Sequence, residues 1–143
     1  MHPRLLDSLA LIKTLDTTRA INAFRIWNSF RKAKKGQTPV MEGLPISISI
    51  EPTTSCNLRC PECPSGLRSF TRPTGMLHID LFKRTIDAMA HHVNYLTFYF
   101  QGEPYLHTNF LDMVAYASSK NIYTATSTNA HYLKEKTAEE ILL

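Results

Sequence analysis

All three cysteines of the chain fall in one short segment, Cys56-Asn57-Leu58-Arg59-Cys60-Pro61-Glu62-Cys63, with C-x3-C-x2-C spacing. Thiolates so close together are metal ligands before they are anything else. A lone zinc ion wants four ligands, usually as two separated pairs, and no second Cys or Cys/His pair follows at finger-like spacing. A cubic iron–sulfur cluster takes thiolates as its natural ligands. Three of them leave one iron without a protein ligand, free to bind and activate another molecule, and that open iron is where chemistry is expected. Cys60-Pro61-Glu62-Cys63 taken alone is a dithiol redox spacing, but Cys56 ahead of it favours a cluster. The rival reading is a non-catalytic zinc-binding or interaction module that uses the three cysteines and a distant histidine. His78, His91, His92, His107 and His131 are scattered without a ligand pattern and read as surface or capping residues.

The elements around this segment must hold it in place. Ile46-Ser47-Ile48-Ser49-Ile50-Glu51 alternates β-branched with small polar residues, then meets Pro52, so a strand leads straight into the cysteine loop. Leu81, Phe82, Ile86, Met89, Ala90 and Val93 follow helical spacing. A second strand, Tyr95 to Phe100, runs into Gln101-Gly102-Glu103-Pro104. Thr108 is placed to cap a helix whose inner face is Phe110, Leu111, Val114 and Ala117. A third strand, Ile122 to Thr126, ends in Ser127-Thr128-Asn129, and Thr137-Ala138-Glu139-Glu140 has the form of a capping box. Strand, loop and helix in repetition predict right-handed crossovers and a parallel sheet. Ligands in such sheets gather beyond the C-terminal strand ends, so three polar loops are expected on one rim.

Ahead of the first strand, residues 4–34 carry Leu5, Leu6, Leu9 and Ile12, then Ala20, Ala23, Phe24, Trp27 and Phe30, at helical spacing. Two amphipathic helices are expected, with Asp16-Thr17-Thr18 between them, packed against the chain's own core rather than on a membrane or partner. Gly36 to Pro45 is a Gly- and Pro-marked linker. The division is therefore 1–45, a helical segment and linker, and 46–143, the strand–helix units. The 143 residues carry a net charge of +4, with Arg31, Lys32, Lys34 and Lys35 just before Gly36. Cations ahead of a glycine are what a helix C-terminus favours, and without aromatic interleaving or a second basic stripe they do not make a nucleic-acid patch. An odd, clustered set of cysteines argues against a disulfide framework. No apolar run reaches the ~18–20 residues of a membrane span, and no signal-peptide pattern opens the chain. A cytoplasmic protein is expected.

These residues resemble the radical S-adenosylmethionine (SAM) enzymes, and more loosely their SPASM-domain branch of peptide maturases and sulfatase activators. The C-x3-C-x2-C after the first strand matches that family's signature. Gln101-Gly102-Glu103-Pro104 is similar to its Gly-Gly-Glu-Pro element, and Ser127-Thr128-Asn129-Ala130 to its Thr-Asn-Gly turn. Three elements in order, each at a strand end, are far more specific than one. The resemblance covers roughly residues 46–143 and implies the N-terminal portion of a parallel (β/α)6 partial TIM-like barrel.

What the resemblance implies chemically is a 4Fe-4S cluster on Cys56, Cys60 and Cys63, with SAM chelating the fourth iron. An electron, from a flavodoxin- or ferredoxin-like donor, breaks a carbon–sulfur bond of SAM, and the 5′-deoxyadenosyl radical takes hydrogen from a substrate that these residues do not identify, a peptide or protein being the class the resemblance suggests. Gly102 would let backbone approach the methionine end, Glu103 would accept from its ammonium group, and Thr128 and Asn129 would face ribose or substrate. Gln101, Glu62 and Ala130 depart from the family pattern, at a glycine, an aromatic position near adenine and the turn glycine respectively; the last implies a differently shaped turn. About three strand–helix units of the family's six are present, so the chain reads as the front of a longer oxidoreductase or maturase whose C-terminal half is missing.

Overall fold

The computed structural model describes residues 3–36 and 38–135; the Thr137 to Glu140 capping box lies outside them. Two helices come first, α1 (Pro3–Lys13) and α2 (Thr17–Gly36). Asp16 separates them as expected: its carboxylate accepts from the Arg19 N–H at 2.9 Å and its carbonyl from the Ala20 N–H, which satisfies donors that a helix start leaves free.

Three short strands, β1 (Ser47–Ile50), β2 (Tyr95–Phe98) and β3 (Tyr123–Thr126), form a parallel sheet in the order β1-β2-β3. Ser47 pairs with Tyr95 and Tyr95 with Tyr123, so the strands end level with one another. The crossovers carry α3 (Pro64–Leu67) and α4 (Ile79–Met89) between β1 and β2, and α5 (Phe110–Ser119) between β2 and β3. One sheet face is covered by α4 and α5. Phe82 and Ile86 of α4, Leu96 and Phe98 of β2, and Phe110, Met113 and Ala117 of α5 bury there with Val93 and Ile122. Phe98 is the hub, edge-on to Phe110 at 5.2 Å and tilted against Phe82 at 5.7 Å between ring centroids. The alternation of side chains along a strand puts Tyr95, Thr97 and Tyr99 on the other face, where Tyr95 stacks on Tyr123 at 5.5 Å.

Several expectations needed adjustment. Strand β2 stops at Phe98, because Phe100 takes φ 135° and turns the chain back toward the cysteine loop. Asn109, not Thr108, occupies the N-cap of α5. His107, expected at the surface or in a cap, is buried: its Nδ1 accepts from the Asn109 N–H at 3.1 Å and its Nε2 donates to the Leu77 carbonyl at 2.8 Å. The short α3 was not anticipated, although Pro64 just after Cys63 is a helix-start signal.

The largest difference concerns α2. Its buried residues are Arg19, Asn22 and Ser29, all polar, while Phe24, Trp27 and Phe30 are exposed. The guanidinium of Arg19, 2% exposed, donates to the carbonyls of Thr14, Ala90, Lys120 and Asn121. Ala90 caps α4 and Lys120 caps α5, so a buried cation meets the negative ends of two helices. Asn22 brackets Leu44, donating to its carbonyl and accepting from its N–H, both at 2.9 Å. Ser29 Oγ accepts from the Glu42 N–H at 2.9 Å. The helix is held by hydrogen bonds, and its aromatic stripe does not pack into the core as the sequence pattern suggested.

Candidate functional site: a rim of three loops at the strand ends

The loops after β1, β2 and β3 meet at one end of the sheet. The first is braced from outside, since Thr54 exchanges hydrogen bonds with Gly75 and the Leu77 N–H donates to the Pro52 carbonyl at 2.8 Å. Cys63 is the N-cap of α3. The Gly66 N–H, ahead of the Ser65 N–H and hydroxyl, holds the Cys63 thiol below its ordinary pKa against some desolvation. A methyl group on Gly66 would lie 2.4 Å from the Cys60 carbonyl oxygen and 2.5 Å from its nitrogen. Only glycine lets α3 close on the cysteine loop.

The second loop folds back onto the first. The Glu103 N–H donates to the Ser55 carbonyl at 2.8 Å and the Gly102 N–H to Ser65 Oγ at 3.0 Å. Gly102 has φ 79°, and a Cβ there would sit 2.1 Å from the Thr53 carbonyl oxygen. Its lack of a side chain is thus demanded by contact between the loops themselves. Gln101 Oε1 accepts from Cys63 Sγ at 3.3 Å and from the Ser65 hydroxyl at 3.0 Å, so the side chain that departs from the family pattern is directed at the cysteine loop.

Glu103 ties in the third loop. Its carboxylate, in a residue 2% exposed, accepts from Thr128 Oγ1 at 2.7 Å, the Asn129 N–H at 2.8 Å and the Tyr105 N–H at 3.2 Å. Burial, and then the charge of Glu103, push the Tyr105 phenol up in pKa. Asn129 Nδ2 donates to Asn57 Oδ1 at 2.9 Å and lies 3.9 Å from Cys56 Sγ. Ala130 holds φ 64°, so the turn keeps a conformation natural to glycine with an alanine in it. Cys56, Cys60, Gly102, Glu103, Thr128 and Asn129 all border one cavity of about 290 Å³.

Of the residues expected at the site, Cys56, Gly102, Glu103, Thr128 and Asn129 are joined directly or through one neighbour. Cys63 joins them through Gln101 and Ser65, and Cys60 is exposed. The three thiols are free, and no three Cys, His, Asp or Glu side chains among the described residues are gathered as ligands of one metal ion. A zinc ion needs its ligands at ~2.0–2.3 Å from a single point, so the zinc module gains no support. A cubane takes one thiolate per iron, at wider separation, and the donor type fits it. Sequence reasoning missed Ser65, Gly66 and Asn57; the signal available for the first two was Pro64, just after Cys63, opening a short helix.

No family model matches the chain. Over 104 residues it is 29% identical to the PqqA peptide cyclase of Rhodopseudomonas palustris, and over 109 residues 28% identical to that of Bradyrhizobium diazoefficiens. These matches take in 72% and 76% of the chain, which spans 27% and 28% of the two relatives' length. Among solved structures, BtrN in complex with AdoMet and 2-DOIA superposes with TM-score 0.61 at 24% identity, over 71% of this chain and 43% of that one. Streptococcus suis SuiB bound to S-adenosylmethionine superposes with TM-score 0.58 at 21% identity, over 79% and 25%. The chain is thus similar in sequence to the two cyclases and in fold to BtrN and SuiB, and its three rim loops follow one another in the order of the radical SAM pattern.

Proposed function

We propose that this chain binds a 4Fe-4S cluster through Cys56, Cys60 and Cys63 and SAM at the adjoining rim, as part of a longer radical SAM enzyme of the oxidoreductase or maturase type. The observation that carries the reading is the three-loop rim, in which Glu103 is bonded to both Thr128 and Asn129 beside the cysteine segment. With cluster and SAM bound, reductive cleavage of a carbon–sulfur bond supplies a 5′-deoxyadenosyl radical able to take hydrogen from a substrate. The protein's part is to bind, aim and shield.

The Gly66 and Ser65 N–H groups favour a thiolate at Cys63, the form a metal ligand must take. Gln101, turned so that its amide N–H₂ faces the sulfur, can donate to that thiolate. Glu103 acts first as the tie between loops, and its remaining lone pair on Oε2 is the acceptor offered to the SAM ammonium. Gly102 exposes backbone to the methionine end, and Thr128 and Asn129 face ribose or substrate.

The three strands and their two helical crossovers are read as the first part of a (β/α)6 partial barrel of the SPASM-like branch, cytoplasmic and served by a flavodoxin- or ferredoxin-like electron donor. A peptide substrate is supported by the relatives named PqqA peptide cyclase and by the SuiB structure bound to precursor peptide SuiA. Anaerobic reconstitution with iron and sulfide tests the reading: a brown protein with about four irons per chain is expected. A colourless protein that retains only zinc overturns it.

A further inference from the structure

Helix α2 is amphipathic in the wrong direction for a helix that only packs on its own domain. Arg19, Asn22 and Ser29 face inward and have hydrogen-bond partners, so burying them carries no unpaired polar group. Phe24, Trp27 and Phe30, spaced by three residues along one exposed side, are 62%, 50% and 65% exposed. The stripe is ordered: Phe24 lies 5.6 Å from Trp27 between ring centroids, and the Arg31 guanidinium sits over the Trp27 ring at 4.6 Å. The helix contains Arg19, Arg25, Arg31, Lys32, Lys34 and Lys35 and no carboxylate. Arg19 is buried, Lys32 pairs with Glu42 at 2.6 Å and Arg25 lies near the same carboxylate, which leaves Arg31, Lys34 and Lys35 on the side of the aromatic stripe.

We infer that α2 is a docking face for an anionic lipid surface, lying in the plane of the interface with Phe24, Trp27 and Phe30 in the headgroup layer. Aromatic rings flanked by Arg and Lys on a surface helix are the chemistry of interfacial binding, in which apolar burial and attraction to anionic headgroups add. A second copy of the chain would bring the same cations face to face, so charge disfavours self-pairing through α2. A bilayer asks only for a convex stripe with flanking cations. No described helix is long and apolar enough to cross a membrane, and none needs to. The Arg19 bonds fix α2 to the ends of α4 and α5, which is the end of the sheet where β2 and β3 begin. The three-loop rim, at the opposite strand ends, then faces away from the lipid. This inference is independent of the cluster and of the reaction.

Trp27 is the chain's single tryptophan, so its emission reports on this face alone. The experiment titrates the protein with phosphatidylcholine vesicles, with and without phosphatidylglycerol, and follows Trp27 emission and co-sedimentation. The expected result is a blue shift and co-sedimentation with the anionic vesicles that high salt reverses. Lys34→Glu with Lys35→Glu should weaken this binding by more than about tenfold, and Phe24→Ser with Phe30→Ser should abolish it. Circular dichroism checks that both variants fold; the lysine changes, at exposed positions, carry the test if the phenylalanine variant does not. No shift on anionic vesicles, or wild-type binding by the folded lysine variant, overturns the inference. A blue shift that grows with protein concentration in the absence of lipid also overturns it, and assigns the face to a second copy.

Discussion

A carboxylate as buried as that of Glu103 is stable only when its charge is answered, and here one hydroxyl and two backbone N–H groups answer it. Glu103→Ala strands the Thr128 hydroxyl and the Asn129 N–H, so stability should fall by about 1.5–3 kcal/mol, read by urea unfolding; an unchanged midpoint would show that the loops are held by something else. Ala130 points the other way. A left-handed backbone costs an alanine about 1–2 kcal/mol, of which glycine's extra unfolded-state freedom removes ~0.4–1, so Ala130→Gly should stabilise the protein by roughly 0.5–1 kcal/mol. A lower unfolding midpoint for that variant would contradict the strain. At the cysteines, Cys56→Ala, Cys60→Ala and Cys63→Ala should each abolish cluster assembly, whereas His91→Ala and His131→Ala should leave iron content unchanged; a histidine change that lost the iron as completely would refute the ligand set. The depressed pKa of Cys63 has a sign that can be checked without iron. Its thiolate is favoured by folding, so the small stabilisation is present above the ordinary thiol pKa and fades as pH falls through the lowered value. Iodoacetamide labelling of Cys63 should accordingly reach half its maximal rate below the usual ~8.5 of a free thiol.

Between elements, Arg19 is the main tie of the N-terminal helices to the sheet. Its guanidinium serves carbonyls of the α1–α2 turn, of Ala90 and of Lys120 and Asn121 at once, which neither a methyl group nor a lysine can reproduce, because only the planar fork reaches several acceptors in fixed directions. Arg19→Ala should cost about 3 kcal/mol, since charged hydrogen bonds are lost and buried carbonyls are left unpaired. Limited proteolysis should then cut first in the 38–45 linker. Loss of stability without earlier cleavage there would mean that α2 is held by Asn22 and Ser29 alone.

For the whole molecule, the sheet is closed on one face and open on the other. Among the described residues β1 and β3 each have one edge without a strand partner. Such edges template further pairing, while the open face carries Tyr, Thr and Ser rather than an apolar patch. The chain alone should therefore associate as concentration rises through strand edges, with slow growth in sedimentation velocity and no change in Trp27 emission. A strictly monomeric protein across that range would show that the edges are already protected.

The sequence by itself determined the cysteine segment, the three strand–loop junctions and their order, because local spacing and turn chemistry act within a few residues and need no distant partner. It also determined the break between α1 and α2, since Asp16 caps the helix that follows it. Tertiary structure alone decided the parts that depend on contacts far apart in the chain. Gly102 is required by Thr53, on the loop after another strand, and no composition rule names that neighbour. Glu103 reaches Thr128 and Asn129 only after the crossover through α5 brings the ends of β2 and β3 level. The orientation of α2 was misread for the same reason: helical periodicity finds an apolar stripe, but which face turns inward was decided by one arginine meeting carbonyls from two other helices. Once those bonds form, the polar side must lie inside, and Phe24, Trp27 and Phe30 are left to the surface.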